Sequence, residues 1–359
     1  MEKAGASMNV LITGGAGFVG SYLARGLKDL YPSSKIVAFD NLRRRGSEFN
    51  VAEFKRRGIH FVHGDIRNRS DLLDINENFD LFIEASAEPS VHSGSDGRAD
   101  YLVSTNLLGT VNCLEFARVH APRMIFLSTS RVYSLEALKN LPLTEEPTRL
   151  SVRTSSSGVS EMGIAETFEC MKPRSLYGAT KLASEILIHD YADTFKLKTM
   201  INRCGVIAGP GQWGKTDQGV FTLWVVNHHF KKSLRYTGFG GEGKQVRDLL
   251  HPQDLLDLLL LQNESLDRGA IETYNLGGGL KGSVSLQEMT KICEDVTGNQ
   301  IEIGSNKETA AVDVPWYISD NSKIIRDFGF EPKRTPRYIV EEISQWINKN
   351  EAQLKEFFQ

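Results

Sequence analysis

The chain has 359 residues, a net charge of -3 and 32 glycines, a length that suits about two domains of ~150 residues with a sizeable core. Its 42 Lys and Arg nearly balance 45 Asp and Glu, which excludes a bulk nucleic-acid binder. A content of 24% charged and 40% hydrophobic residues excludes disordered and fibrous classes.

Residues 1–7 (MEKAGAS) lack an apolar signal core and read as a loose extension. Residues 8–13 (MNVLIT) form an apolar strand that runs into glycines, and 18–30 follow with helical spacing. Further strand patterns fall at 35–40, 59–63, 81–85, 124–128 and 198–203, with helical runs such as 101–119 between them. This alternation predicts an α/β fold, a Rossmann-type doubly wound parallel sheet, over residues 8–203. After Cys204 the texture turns to Gly, Gln, Asp and aromatic residues. Residues 204–248 and 263–359 therefore read as a smaller C-terminal α/β substrate-binding domain, with 249–262 returning to the first. Within it 287–297 and 337–359 look helical, and 234–236 is a short strand candidate. The Ser/Gly-rich stretch 153–163 reads as a lid or mobile loop.

Cys113, Cys170, Cys204 and Cys293 have irregular spacing and no C-x-x-C pair. Neither a disulfide scaffold nor a zinc site is expected, and the eight histidines show no ligand spacing, so no metal is expected. The most apolar stretch, 249–261, carries His251, Asp254 and Asp257 and cannot span a membrane. The expected setting is the reducing cytosol.

Gly14, Gly17 and Gly20 give G-x-x-G-x-x-G between a strand and a helix. Gly14 allows the tight turn, Gly17 lets a pyrophosphate approach, and Gly20 lets helix and strand pack closely. Phe18 and Val19 open the helix, whose N-terminal amides suit an anion. Asp40 ends the next strand and can accept hydrogen bonds from a ribose diol, with Asn41 beside it. This context predicts a bound dinucleotide. Asp40 favours NAD over a 2′-phosphorylated cofactor; Arg43, Arg44 and Arg45 read as a solvated basic loop. Asp65 and Ile66 end the third strand, where an adenine would lie. Ala85, Ser86 and Ala87 follow the fourth and are small enough to line the pyrophosphate.

Ser128-Thr129-Ser130-Arg131-Val132-Tyr133 closes the fifth strand, and Tyr177-Gly178-Ala179-Thr180-Lys181 opens a helix. The i,i+4 spacing puts Tyr177 and Lys181 on one face. A cationic Lys181 is expected to lower the Tyr177 pKa and make it a general base, with Thr129 bonding the reacting hydroxyl.

Together these motifs resemble the extended short-chain dehydrogenase/reductase family of nucleotide-sugar epimerases and dehydratases, over nearly the whole chain from Met8 to about Trp346. The resemblance implies tightly held NAD, catalysis by Thr129, Tyr177 and Lys181, a nucleotide-diphosphate sugar substrate bound by the C-terminal domain, and a homodimer through a helix pair including 101–119 and 177–194. A closer resemblance, to the CDP-paratose 2-epimerase branch, rests on Thr216-Asp217-Gln218-Gly219, on Gly243-Lys244-Gln245-Val246-Arg247-Asp248 and on the insertion around 145–149. It implies C2 epimerisation of a CDP-hexose or deoxyhexose, with Arg131, Gln218, Gln245, Arg247 and Asp313 on the substrate. The guanidinium of Arg247 suits phosphate oxygens. Some positions depart from the wider family: Ser134 stands for a glycine, Glu84 for a histidine, Val206 for an asparagine and Ala310 for an arginine. Where the dehydratase branch has Asp-Glu after the threonine, this chain has Ser130-Arg131, so no acid/base pair for water elimination is visible. A C4 epimerase of a UDP-sugar, a net oxidoreductase and a non-catalytic dinucleotide sensor remain as alternatives.

Overall fold

A computed structural model describes residues 7–94, 99–153, 155–213, 219–268 and 271–358. The chain divides into two compact units, each drawing on separated stretches of sequence.

The first unit comprises Met1–Val132, Ser175–Cys204 and Pro252–Tyr274. It is built on a seven-stranded sheet: β1 (Val10–Thr13), β2 (Ile36–Asp40), β3 (His60–His63), β4 (Leu81–Glu84), β5 (Arg123–Thr129), β6 (Lys198–Cys204) and β7 (Glu272–Leu276). The spatial order is β7-β6-β5-β4-β1-β2-β3, and β1 to β6 pair in parallel. Such a sheet must be covered on both faces, which explains why its inner strands are continuously apolar. Helix Phe18–Leu30 packs with Glu48–Arg57 and Pro252–Ser265. Helices Gly109–His120 and Leu176–Phe195 pack together, over a core of Leu11, Phe39, Phe82, Phe126 and Ile201. Chain order reverses beside β1, so the loops after β1 and β4 meet at the switch point where open α/β sheets bind ligands.

The second unit comprises Tyr133–Arg174, Gly205–His251 and Asn275–Gln359. Its central strand, Val246–Leu250, pairs in parallel with Val206–Ile207 and Trp316–Tyr317 and antiparallel with Ser283–Ser285. Helices Val220–His229, Leu286–Thr297 and Pro336–Lys349 bury Trp224, Val225, Met289 and Ile343. Ser285 and Glu288 form a reciprocal capping box that starts the second of these helices. Phe221 and Trp224 are core residues, not an exposed stacking platform.

Two boundaries and one loop differ from the sequence reading. Residues 133–174 belong to the second unit, where Leu150 N donates to Lys244 O at 2.9 Å. The returning stretch is Pro252–Tyr274, longer than 249–262, because β7 adds a seventh strand that its mixed sequence ETYNL conceals. The Ser/Gly-rich stretch is folded: Val159–Ser160 pairs with Gly163–Ile164, and Ile164 N donates to Ile318 O at 2.7 Å. Leu234–Thr237 is a strand, paired with Ile303–Asn306. Among the described residues no helix is long and apolar enough to cross a membrane, and no group of His, Cys, Asp or Glu could hold a metal ion.

Candidate active site

The glycine loop is shaped by collisions that glycine avoids. Gly14 has φ of +65°, and a Cβ there would sit 2.7 Å from Ala85 O. At Gly20 a Cβ would lie 2.2 Å from Gly14 O, so helix Phe18–Leu30 can approach the loop only without a side chain. Gly17 differs: its Cβ would meet only Gly14 O, at 3.2 Å. The loop is therefore open where an anion would approach. Gly17 caps the helix without a side chain, and the first turn, with Phe18 and Val19, holds no acidic residue. The helix's positive end is thus left for a ligand. Gly15 was unremarked in the sequence pattern, yet a Cβ there would lie 2.7 Å from Ala38 Cα.

Asp40 ends β2 beside this loop. Its Oδ2 accepts from Ala16 N (3.1 Å) and its Oδ1 from Leu42 N (2.8 Å). Burial raises its pKa against these backbone bonds. Asn41 Nδ2 donates to Asp65 Oδ2 at 2.9 Å. Burial pushes Asp65 up, but hydrogen bonds from Arg67 and Asn41 prevail and hold it at about 2. Arg43 and Arg67 both lie over the Tyr101 ring, at 3.9 and 4.7 Å, so Arg43 does more than decorate a solvated loop. Ile66 is only 5% exposed and belongs to the core; its side chain is not available to an adenine, which leaves only its backbone. Ala85 lies under Gly14, and Ser86 and Ala87 are half-buried.

The reactive cluster lies at the ends of β5 and β6. Ser175 caps helix Leu176–Phe195 by accepting from Gly178 N at 3.2 Å, which places Tyr177 in the first turn and Lys181 one turn later. Tyr177 is 8% and Lys181 1% exposed. The Thr129 hydroxyl lies close enough to the Tyr177 phenol to lower its pKa. Burial pushes the Tyr177 phenol up to about 12, with Thr129 and Arg131 lowering it and Cys204 and Glu88 raising it. Arg131, which the spacing did not single out, is a cation that lowers the phenol. Arg131 also donates its backbone N–H to Thr129 Oγ1 at 3.2 Å. Cys204 is pushed up to about 12 by burial and is an inert thiol.

Two buried arrangements escaped the sequence reading. Glu185 accepts a guanidinium fork from Arg203 (Nε at 3.2 and 3.1 Å, Nη2 at 2.7 Å), and Ser128 Oγ also donates to it. This network ties helix Leu176–Phe195 to the residue before Thr129. The i,i+4 spacing of Lys181 and Glu185 was its only sequence signal. Asn106 clamps the backbone of Glu88, accepting from its N–H at 2.7 Å and donating to its O at 3.1 Å. It sits in a π-helical turn, Ser104–Leu108, that no local pattern announces.

The other expected substrate residues, apart from Arg131, belong to the second unit. Arg247 donates to Val246 O (2.7 Å) and Val314 O (2.6 Å) in the second unit. Its neighbour Asp248 is fully buried and bonds Ser319 N and Gly279 N instead. Gln245 donates to Thr237 O at 3.1 Å, while its buried Oε1 lacks a hydrogen-bond partner. Asp313 closes a turn to Ala310 O. Gln218, with Thr216 and Asp217, lies outside the described residues. Ser134, in place of a family glycine, caps the short helix Leu135–Lys139.

A glycine cradle, an acid at the end of β2 and a Tyr/Lys/Thr cluster beyond β5 are on one sheet. The model of the family described as "NAD dependent epimerase/dehydratase family" matches residues 10–277. The chain belongs to that family. Among epimerase and dehydratase relatives, it is 30% identical to the CDP-paratose 2-epimerase of Salmonella typhi, over 95% of this chain and 99% of the relative. It is 27% identical to the dTDP-glucose 4,6-dehydratase of Escherichia coli, over 96% and 94%. In fold it is similar to the UDP-glucuronic acid 4-epimerase of Bacillus cereus solved with UDP-glucuronic acid and NAD. That match has a TM-score of 0.77 and 23% identity, over 95% of this chain and 99% of that one.

The cradle fits the family's dinucleotide: open at Gly17, closed at Gly14 and Gly20, uncapped at the helix start, with Asp40 at the β2 end. An expected result follows. Gly20→Ala forces a contact with Gly14 O that costs about 1–3 kcal/mol as overpacking. The purified variant should then release several-fold less NAD per chain on denaturation, measured by mass spectrometry.

Proposed function

We propose that this enzyme epimerises a nucleotide-diphosphate sugar, at C2 of a CDP-hexose or deoxyhexose, and that it works in the cytosol. The observation that carries this reading is the buried Tyr177 phenol on the helix that carries Lys181, with Thr129 at the end of β5 acting on it and Ser130-Arg131 where a dehydratase would need two acids. Gly14, Gly17, Gly20 and Asp40 hold NAD, with Phe18, Val19, Asn41, Asp65, Ala85, Ser86 and Ala87 around it. NAD, when bound, takes the carbon-bound hydride and gives it back.

Tyr177 removes the proton from the sugar hydroxyl, and Thr129 bonds that hydroxyl. Removing a proton with a phenol near 12 requires help, because a base is most effective when its pKa is near the working pH. Arg131 supplies part of that help. The positive charge of an oxidised nicotinamide would lower the phenol further. The keto sugar turns over before hydride returns, so no net redox change occurs. Arg247, Gln245, Gln218 and Asp313 of the second unit are assigned to the nucleotide diphosphate. To bind it, the Arg247 guanidinium must share or leave its two carbonyls. The orphaned Oε1 of Gln245 can accept one hydrogen bond.

The 30% identity with a CDP-paratose 2-epimerase supports C2 and CDP; the likeness to UDP-sugar C4 epimerases supports the chemistry only. A panel of CDP- and UDP-hexoses tests the assignment, with products followed by NMR. Turnover of a CDP-sugar with inversion at C2 is expected. Inversion at C4 of a UDP-sugar, with CDP-sugars inert, would overturn it.

A further inference from the structure

Strand β4 ends on a carboxyl group that the proposed reaction does not use. Glu84 is fully buried. Its register partners are Thr13 on β1 and Phe126 on β5, and partners in parallel strands point to the same face of the sheet. Phe126 belongs to the core beneath helices Gly109–His120 and Leu176–Phe195. From the first helix, Thr110 Oγ1 donates to Glu84 Oε1 at 2.7 Å. From the second, the Lys181 ammonium reaches the Phe126 ring, 3.9 Å from its centre. Glu84 Oε2 and Thr13 Oγ1, side by side in register, have no hydrogen-bond partner.

A buried ammonium needs a counter-charge. The titratable groups acting on Lys181 are Glu84, Glu185, Cys204 and Cys113. Burial raises both thiols, so they are neutral. Glu185 is committed to the Arg203 fork and to Ser128. Glu84 is the carboxyl whose charge nothing else claims, and half of it is unbonded.

We propose that Glu84 is a positioning residue: from β4, its carboxylate supplies the counter-charge that keeps Lys181 an ammonium in the interior beside Tyr177. The proposal rests on the reading of Lys181 as a working partner of Tyr177. Burial pushes Glu84 up to about 7, with Lys181 and Thr110 lowering it. Burial pulls Lys181 down, and Glu84 is the largest of the groups that raise it, ahead of Glu185. The signs agree. An ionised Glu84 favours the protonated form of Lys181, and a protonated Lys181 favours the ionised form of Glu84.

The test is the titration of Lys181 in full-length protein with ¹³Cε-labelled lysine and no sugar present, its resonance assigned by Lys181→Arg. Glu84→Gln keeps an acceptor for Thr110 but removes the charge. The Lys181 midpoint should fall by about one pH unit or more, and the alkaline limb of the kcat profile should move down with it. Glu84→Asp, which keeps the charge, should shift it less. An unchanged midpoint in folded Glu84→Gln would overturn the proposal. Should that variant not fold, the wild type decides. Its Lys181 resonance should show a second inflection near neutral pH as Glu84 ionises, and a single inflection would overturn it. Since the Lys181 resonance is followed with no sugar present, a wrong substrate assignment changes none of the titration readings.

Discussion

Tyr177→Phe should lower kcat by roughly 10²–10⁴-fold, the usual span for a lost general base. The Tyr177 side chain is buried, and phenylalanine supplies the same packing without the hydroxyl. The variant should therefore keep its thermal midpoint and its NAD content, and KM should change far less than kcat. Such a split marks a group acting in the transition state rather than in substrate binding. Near-wild-type turnover would remove Tyr177 from the proposed role. Thr129→Val should act in the same direction but less, because it removes a hydroxyl that lowers the phenol's pKa and not the base itself.

The second large effect concerns stability. Glu185 and Arg203 are 2% and 8% exposed, and the carboxylate takes the whole guanidinium fork. Glu185→Ala strands a buried cation and should cost about 3–5 kcal/mol. With two compact units, one transition cannot be assumed; the loss should appear in the urea midpoint of the first unit. Glu185→Gln, which still accepts from Arg203 and Ser128, should cost less. A paired Glu185→Leu, Arg203→Met variant should recover much of the loss, because the penalty lies in the uncompensated charge and not in a missing attraction. If the single alanine variant unfolds at the wild-type midpoint, the network has no bearing on stability.

Local features were readable from the sequence. Phe18–Leu30 begins and ends where its periodicity predicts, since an amphipathic run after a glycine turn leaves few alternatives. Asp40 closes β2 next to the loop, because strand, turn and helix are contiguous in sequence. The unreadable features depend on distant partners. Central strand Val246–Leu250 is defined by three segments far away in the chain, and no local period encodes such pairing. The helical spacing of Tyr177 and Lys181 gave their common helix but not the electrostatics. What raises the phenol is burial, with Thr129 and Arg131 acting against it, while the Lys181 ammonium lies over the Phe126 ring. Side-chain burial is a tertiary property, which spacing along one helix does not carry.

In the proposed reaction hydride leaves the sugar and returns to the same carbon. Running the reaction in heavy water with a CDP-hexose tests it directly. The account predicts product with no solvent deuterium at the inverted carbon and no accumulation of reduced cofactor in the absorbance. Substantial deuterium at that carbon would contradict it and indicate a carbanion route in its place.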